Sequence, residues 1–152
     1  MELVLWRHAD AQDGLNDLKR ELTDKGRKQA GRMARWLRPR LEGRWVILVS
    51  PAVRATQTAD ALEIGYEVRP ALGTSATPEA LVREAGWPAG EANVIIVGHQ
   101  PTLGRLAARL LGHHGDLAVK KGAIWWFSGK RGAAPDSTEA ILRAVIGPDF
   151  AH

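Results

Sequence analysis

Three places in the chain set a histidine or an arginine within about a turn of the end of a short apolar run. Leu3-Val4-Leu5-Trp6 leads into Arg7-His8. Val46-Ile47-Leu48-Val49 leads into Ser50-Pro51, with Arg54 one turn later. Val94-Ile95-Ile96-Val97 leads into Gly98-His99. Guanidinium groups repel one another and are costly to bury unpaired, so two Arg in one crevice call for a shared anion. A tetrahedral oxyanion fits, because Arg presents paired donors that match phosphate bidentately. A helix start near Arg54 would add a backbone N–H and a favourable dipole. A neutral imidazole is a competent nucleophile toward phosphorus near neutral pH. His8 is therefore the candidate nucleophile, able to carry a covalent phosphoryl group. His99 is the candidate donor to the transferring oxygens, with Arg7 and Arg54 stabilising equatorial charge. Phosphoryl transfer rests mostly on positioning and electrostatics, so such a set suffices without a metal.

The elements that must hold these residues can be read from pattern. Each apolar run is continuous and rich in β-branched residues, as in strands buried on both faces of a parallel sheet. Helical spacing separates them. Ala30, Met33, Ala34, Leu37 and Leu41 share one face, with Thr23 as N-cap and Pro39 and Gly43 marking the end. Ala55, Ala59 and Leu62 form a shorter face. Leu103, Leu106, Ala107, Leu110 and Leu111 form a third, opening near Pro101 and stopping at Gly112. Tyr66 to Val68 reads as a short strand and Pro78 to Ala85 as a short helix. Ala123 to Phe127 and Ala140 to Ile146 read as two strands paired across a Gly129 to Ser137 loop. Strands alternating with helices predict a three-layer α/β/α sandwich with a mainly parallel sheet and an antiparallel edge. In such sheets ligands bind beyond the carboxyl ends of the strands, where the His and Arg residues fall.

Composition sets the outer limits. A chain of 152 residues has room for one domain, spanning 1–152, and can bury a sizeable core without staples. Hydrophobic residues at 45% and charged residues at 25% exclude disorder, collagen and coiled coil. Cysteine is absent, which excludes thiolate catalysis and disulfides. No apolar run reaches 18 residues, and the N-terminus lacks a basic region before its apolar stretch. No membrane association is expected, and cytoplasm is the expected compartment. The net charge of +4 suits an anionic partner. The basic residues form no dense block, so no nucleic-acid partner is expected.

The residues also carry a resemblance. Arg7-His8-Ala9-Asp10-Ala11 after its strand, Asp17-x-x-Arg20-Glu21-Leu22-Thr23-x-x-Gly26, Ser50-Pro51-x-x-Arg54-Ala55-x-Gln57-Thr58-Ala59, Val97-Gly98-His99-Gln100-Pro101 and Lys121-Gly122-Ala123-Ile124 follow one another along essentially the whole chain. Together they resemble the histidine phosphatase superfamily, with its phosphoglycerate mutase-like fold. Within it they resemble the small bacterial phosphohistidine phosphatases of the SixA type. The resemblance implies a phosphatase free of cofactor and metal, with His8 as the phosphorylated nucleophile. It implies Arg7, Arg54 and His99 around the phosphate, and Gln100 joins them as a substrate-binding candidate. Ala9 stands where many members have Gly.

The larger, mutase-like members carry a glutamic acid in an insertion before their third core strand, and no clean equivalent is present here. Asp17 and Glu79 are the candidates for a general acid, with Glu84, Asp10 and Asp13 as rivals. A weak or absent acid would favour phosphohistidine, whose protonated imidazole leaves neutral, over an alkyl phosphate, whose alkoxide needs a proton. The stretch from Ala61 to Asn93 is short, which predicts a shallow, open pocket suited to a side chain displayed on a protein. The Ala11 to Glu21 loop is its expected rim.

Plainer readings stand beside these. His8 or His99 alone would fit a satisfied core histidine, and Arg54 alone a solvated helix residue. A dication held by His8, Asp10 and His99 is disfavoured by the two adjacent guanidiniums. His113 and His114 read as surface residues at a helix end. The six Trp read mainly as core, with Trp125 and Trp126 on opposite faces and Trp87 in a loop that could meet a partner. The leading expectation is dephosphorylation of phosphohistidine in a partner protein. The alternatives are a phosphatase of a small phosphorylated metabolite and a non-catalytic phosphohistidine-binding module. A monomer or weak dimer is expected.

Overall fold

The computed structural model describes residues 1–152. The chain runs through β1 (Glu2–Arg7), α1 (Asp24–Leu37), β2 (Trp45–Val49), α2 (Val53–Asp60), β3 (Glu67–Val68), α3 (Pro78–Ala85), β4 (Asn93–Gly98), α4 (Thr102–Leu110), β5 (Ile124–Ser128) and β6 (Ile141–Ile146). The strands make one six-stranded sheet in the order β3-β2-β4-β1-β5-β6. The first four are mutually parallel, while β5 runs against both β1 and β6. Only β5 thus runs opposite to the rest, and the outermost strand β6 pairs antiparallel with β5 while running in the direction of β1.

The three apolar runs occupy the centre because continuous hydrophobicity needs cover on both faces. Alternate residues of β1 serve opposite layers. Leu3 and Leu5 pack toward Leu103, Leu106 and Leu110 of α4. Val4 and Trp6 pack toward Met33, Ala34 and Leu37 of α1 and toward Ala55 and Ala59 of α2. Full burial of one such Leu, Ile or Val side chain stabilises by about 1.5–3 kcal/mol. The result is the three-layer α/β/α sandwich that the alternation predicts.

Helix ends follow local chemistry. The Thr23 hydroxyl accepts from Gly26 N at 2.9 Å and caps α1. Thr77 caps α3 in the same way, and Gly86 closes it with a φ of 66°. Gly26 also has a steric reason. A Cβ there would sit 2.0 Å from the Asp10 carbonyl oxygen, so the first turn of α1 can press on the loop after β1 only as glycine.

The tryptophans divide. Trp6 and Trp126 are buried, and Trp125 is half-buried on the opposite face of β5. Trp36 and Trp45 are only half-buried and line a surface cavity at the amino-terminal end of the sheet. Trp87 is buried against Gly129, so its loop position does not make it a docking residue.

Candidate active site

Backbone bonds gather the strand ends. His8 N donates to Gly98 O at 3.1 Å, and Ser50 N donates to Val97 O at 3.0 Å. Gly122 N donates to the carbonyls of Arg7 and His8, both at 3.1 Å. The buried Trp6 Nε1–H holds the same turn from below by donating to Gly122 O at 3.1 Å. Gly122 has a φ of 74°, a conformation that glycine adopts without strain. Ala9 N donates to the Thr58 hydroxyl at 3.0 Å, and that hydroxyl donates to Arg54 O at 2.7 Å. The chain after β1 is thereby pinned to the helix that carries Arg54.

These ties build a cavity of about 330 Å³ at the carboxyl ends of the parallel strands. Arg7, His8, Arg54 and His99 all line it, together with Asp17, Arg20, Gln100 and Lys121. Arg20 and Lys121 stand in the sequence motifs, but strand-end logic alone assigned them no place. Lys121 arrives from the turn before β5, which is distant in sequence from every other member.

Tautomers follow from partners. His8 Nδ1 lies 2.8 Å from Ala9 O, and a carbonyl can only accept, so Nδ1 carries the proton. The lone pair of the neutral ring therefore sits on Nε2. His99 Nε2 lies 2.7 Å from Ser50 Oγ, which also accepts from Ala52 N. The two imidazoles are 5.2 Å apart between centroids. Burial, with the positive charges of Arg54, Arg7 and Arg20, pushes His8 down to about 4. Burial pushes His99 down to about 3, assisted by His8 and Arg54 and opposed by Asp17. Both rings are neutral at pH 7.

Each guanidinium keeps one buried donor without a partner. Arg7 Nη1 donates to Val119 O at 2.9 Å, but its Nε is buried without a partner. Arg54 Nε is likewise unpartnered. Each such orphan donor costs about 1–3 kcal/mol, which a bound oxyanion with several lone pairs would recover. Each terminal nitrogen of Arg54 donates once to the rim. Its Nη1 donates to Asp17 O at 2.7 Å, and its Nη2 donates to Asp17 Oδ2 at 3.2 Å. Asp17 also accepts from Arg20 Nε and Nη2 at 3.1 and 3.0 Å.

The general-acid candidates fare differently. Asp17 is in the cavity, but the hydrogen bonds from Arg20 and the charge of Arg54 hold its carboxyl below the usual carboxylate range. It is a poor proton donor in this state. Glu79 is not in the cavity. It accepts from Arg109 Nη2 at 2.6 Å across the gap between α3 and α4, and that bond also lowers its carboxyl. Glu79 is thus corrected from candidate acid to a helix-pairing residue, because its exposed first-turn position faces α4 rather than the strand ends. Glu84 is bound by Arg69, and Asp10 by Thr23 and Lys121. Gln100 lines the cavity, but both ends of its amide are engaged. Nε2 donates to Leu117 O at 3.0 Å, and Oε1 accepts from Gly104 N at 2.7 Å. The amide thereby ties α4 to the loop that follows it, with one Nε2 N–H not used by these bonds. No three of the His, Asp and Glu side chains converge on a common metal position.

Comparison with known proteins agrees with the geometry. The model of the histidine phosphatase superfamily (branch 1) matches residues 3–73. The phosphohistidine phosphatase SixA of Escherichia coli is 35% identical over 126 residues, covering 72% of this chain and 74% of that protein. The phosphohistidine phosphatase SixA homolog of Haemophilus influenzae is 30% identical over 140 residues, covering 82% and 85%. Among solved structures, that of the protein histidine phosphatase SixA complexed with tungstate superposes with a TM-score of 0.84. Its sequence identity is 25%, and 98% of each chain is covered. A cavity at three strand ends lined by two Arg and two His, on this fold and with these relatives, places the chain in the histidine phosphatase superfamily, in its SixA-like branch.

Proposed function

We propose that this protein is a phosphohistidine phosphatase that acts on a partner protein through a phosphorylated His8. The observation that carries the reading is the state of the cavity's titratable groups. The candidate nucleophile is neutral, with its Nε2 lone pair free, and the one carboxylate lining the cavity is held ionised by two arginines.

The steps follow from those positions. The substrate phosphoryl group enters between Arg7 and Arg54 and displaces Asp17 from Arg54. His8 Nε2 attacks phosphorus in line, forming a P–N bond as the bond to the substrate imidazole breaks. That ring is protonated on its other nitrogen, so it receives the bonding pair and departs neutral. A water then attacks the phosphoryl group on His8. The P–N bond to His8 breaks, its electron pair returns to Nε2, and the water's proton leaves with the phosphate or with bulk water. Arg7, Arg54 and His99 stabilise the oxygens in both steps. The dianion offsets the guanidinium charge and so raises the readiness of His99 to take a proton and donate it in a hydrogen bond. No step requires an acid to protonate an alkoxide, and the cavity offers none in the right state. That favours phosphoramidates and aryl esters over alkyl esters.

The test is phosphate release from a phosphohistidine-bearing protein, with para-nitrophenyl phosphate and an alkyl phosphate in parallel and a chelator present throughout. Release from the first two that vanishes in His8→Ala is the expected result. Turnover of the alkyl phosphate at a comparable rate, with none of the phosphoprotein, would overturn the reading in favour of a metabolite phosphatase.

A further inference from the structure

A second cavity of about 580 Å³ opens beside the first and shares Arg7 and Lys121 with it. It lies where the sheet's antiparallel strands begin and end next to the catalytic crevice. Its floor is apolar. Trp125 of β5 and Val145 of β6 are cross-strand partners there, and Phe150 from the segment after β6 lines the same groove. Phe150 is 79% exposed and Val145 is 50% exposed. Large apolar side chains left open beside a site mark a surface that meets another macromolecule.

The rim is basic. Lys25 comes from the first turn of α1, and Lys120 and Lys121 from the turn before β5. Lys121 is paired with Asp10 at 3.0 Å, whereas Lys25 and Lys120 are absent from every ion pair of the molecule. The groove holds one carboxylate of its own, Asp149. A free phosphate or a small metabolite would be fully served by the smaller cavity and would leave this groove unused.

We infer that the groove is a docking surface for the acidic and apolar segment that flanks the phosphohistidine of a partner protein. Continuity through Arg7 and Lys121 lets one chain lay its phosphorylated side chain in the crevice and its neighbours in the groove. Lys25 and Lys120 supply the complementary charge, and Trp125, Val145 and Phe150 supply the apolar contact. This inference rests on the reading of the protein as a phosphohistidine phosphatase.

The experiment compares two synthetic phosphohistidine peptides, one flanked by Glu and Leu and one flanked by Lys and Gly, with para-nitrophenyl phosphate as a third substrate. The wild type is expected to show a KM roughly fivefold lower for the acidic peptide, with similar kcat on both. The preference should fade toward 1 M salt, where the Debye length is only about 3 Å. Lys120→Glu should abolish or invert the preference, and Phe150→Ala should raise KM for the acidic peptide. Both variants should retain turnover of para-nitrophenyl phosphate, which also shows that they fold. Equal KM for the two peptides in the wild type would overturn the groove's assignment and leave the phosphatase reading standing. Hydrolysis of para-nitrophenyl phosphate with neither peptide turned over would overturn both. Sedimentation showing a dimer that Phe150→Ala dissociates would instead assign the groove to a second copy of this chain.

Discussion

In the proposed mechanism, Arg54 and Asp17 form the pair that an entering phosphoryl group separates. Arg54 is buried, and its two terminal nitrogens donate to Asp17. Removing a donor aimed at transferring oxygens typically costs about 10²–10³ in kcat. Arg54→Ala is therefore expected to lose that much on para-nitrophenyl phosphate while still folding. Asp17→Asn removes the competing charge without removing the loop. It is expected to strengthen inhibition by inorganic phosphate a few-fold, by about 0.5–1 kcal/mol as for a partly exposed ion pair, and to spare kcat on phosphohistidine. A large loss of kcat on phosphohistidine in Asp17→Asn would show instead that Asp17 donates a proton. Ser50 acts through His99. Ser50→Ala should shift the acid limb of the pH profile and leave KM nearly unchanged.

At the scale of elements, the site depends on how the loop after β1 meets α1. Asp10 N donates to Gln29 Oε1 at 2.9 Å, Thr23 Oγ1 donates to Asp10 Oδ2 at 2.8 Å, and Leu22 N donates to Gln57 Oε1 at 2.8 Å. Motif residues that touch no substrate thus hold the rim in place. Gly26→Ala forces a Cβ to within 2.0 Å of the Asp10 carbonyl oxygen, and backbone cannot yield as a flexible side chain does. The expected cost is about 1–3 kcal/mol, as for overpacking, with kcat falling through displacement of the rim. Denaturant unfolding and turnover measured on the same preparation check both. Thr23→Ala removes the cap of α1 and should cost about 1 kcal/mol with a smaller effect on activity. These roles were partly legible. The cap and the helix face could be read from spacing, but the reason for Gly26 lies in a contact sixteen residues away in sequence and is invisible to any periodicity.

At the scale of the whole molecule, the buried histidines tie stability to pH. An unfolded histidine titrates near 6.5, whereas His8 and His99 in the fold are held at about 4 and about 3. As pH falls below 6.5, the unfolded chain binds protons that the folded chain refuses, so stability declines. The loss attributable to His8 develops between pH 6.5 and about 4 and approaches about 3 kcal/mol. Carboxylates held low, such as Asp10 and Asp17, add their losses only as pH drops below the ordinary carboxylate range. Urea unfolding should therefore show weakening that begins near pH 6.5. A doubly substituted His8→Asn, His99→Asn protein should keep its stability until the carboxylates protonate. A wild-type curve flat down to pH 5 would contradict the burial of neutral imidazoles.

What the sequence determined by itself was the set of strands, their two-faced burial and the residues at their carboxyl ends. Continuous β-branched runs can be satisfied only in the middle of a covered sheet, and a His or Arg within a turn of such a run emerges near its end. Arg7, His8, Arg54 and His99 were legible for that reason. The tertiary structure decided everything that depends on contacts between segments far apart. It set the strand order that brings Lys121 to Arg7, and it excluded Glu79 by giving it to Arg109. It tied the Gln100 amide to Gly104 of α4 and to Leu117 of the following loop, and it set Asp17 against Arg54 and Arg20. A carboxylate's protonation state and a side chain's availability are properties of its neighbours in space, and local spacing carries no record of those neighbours.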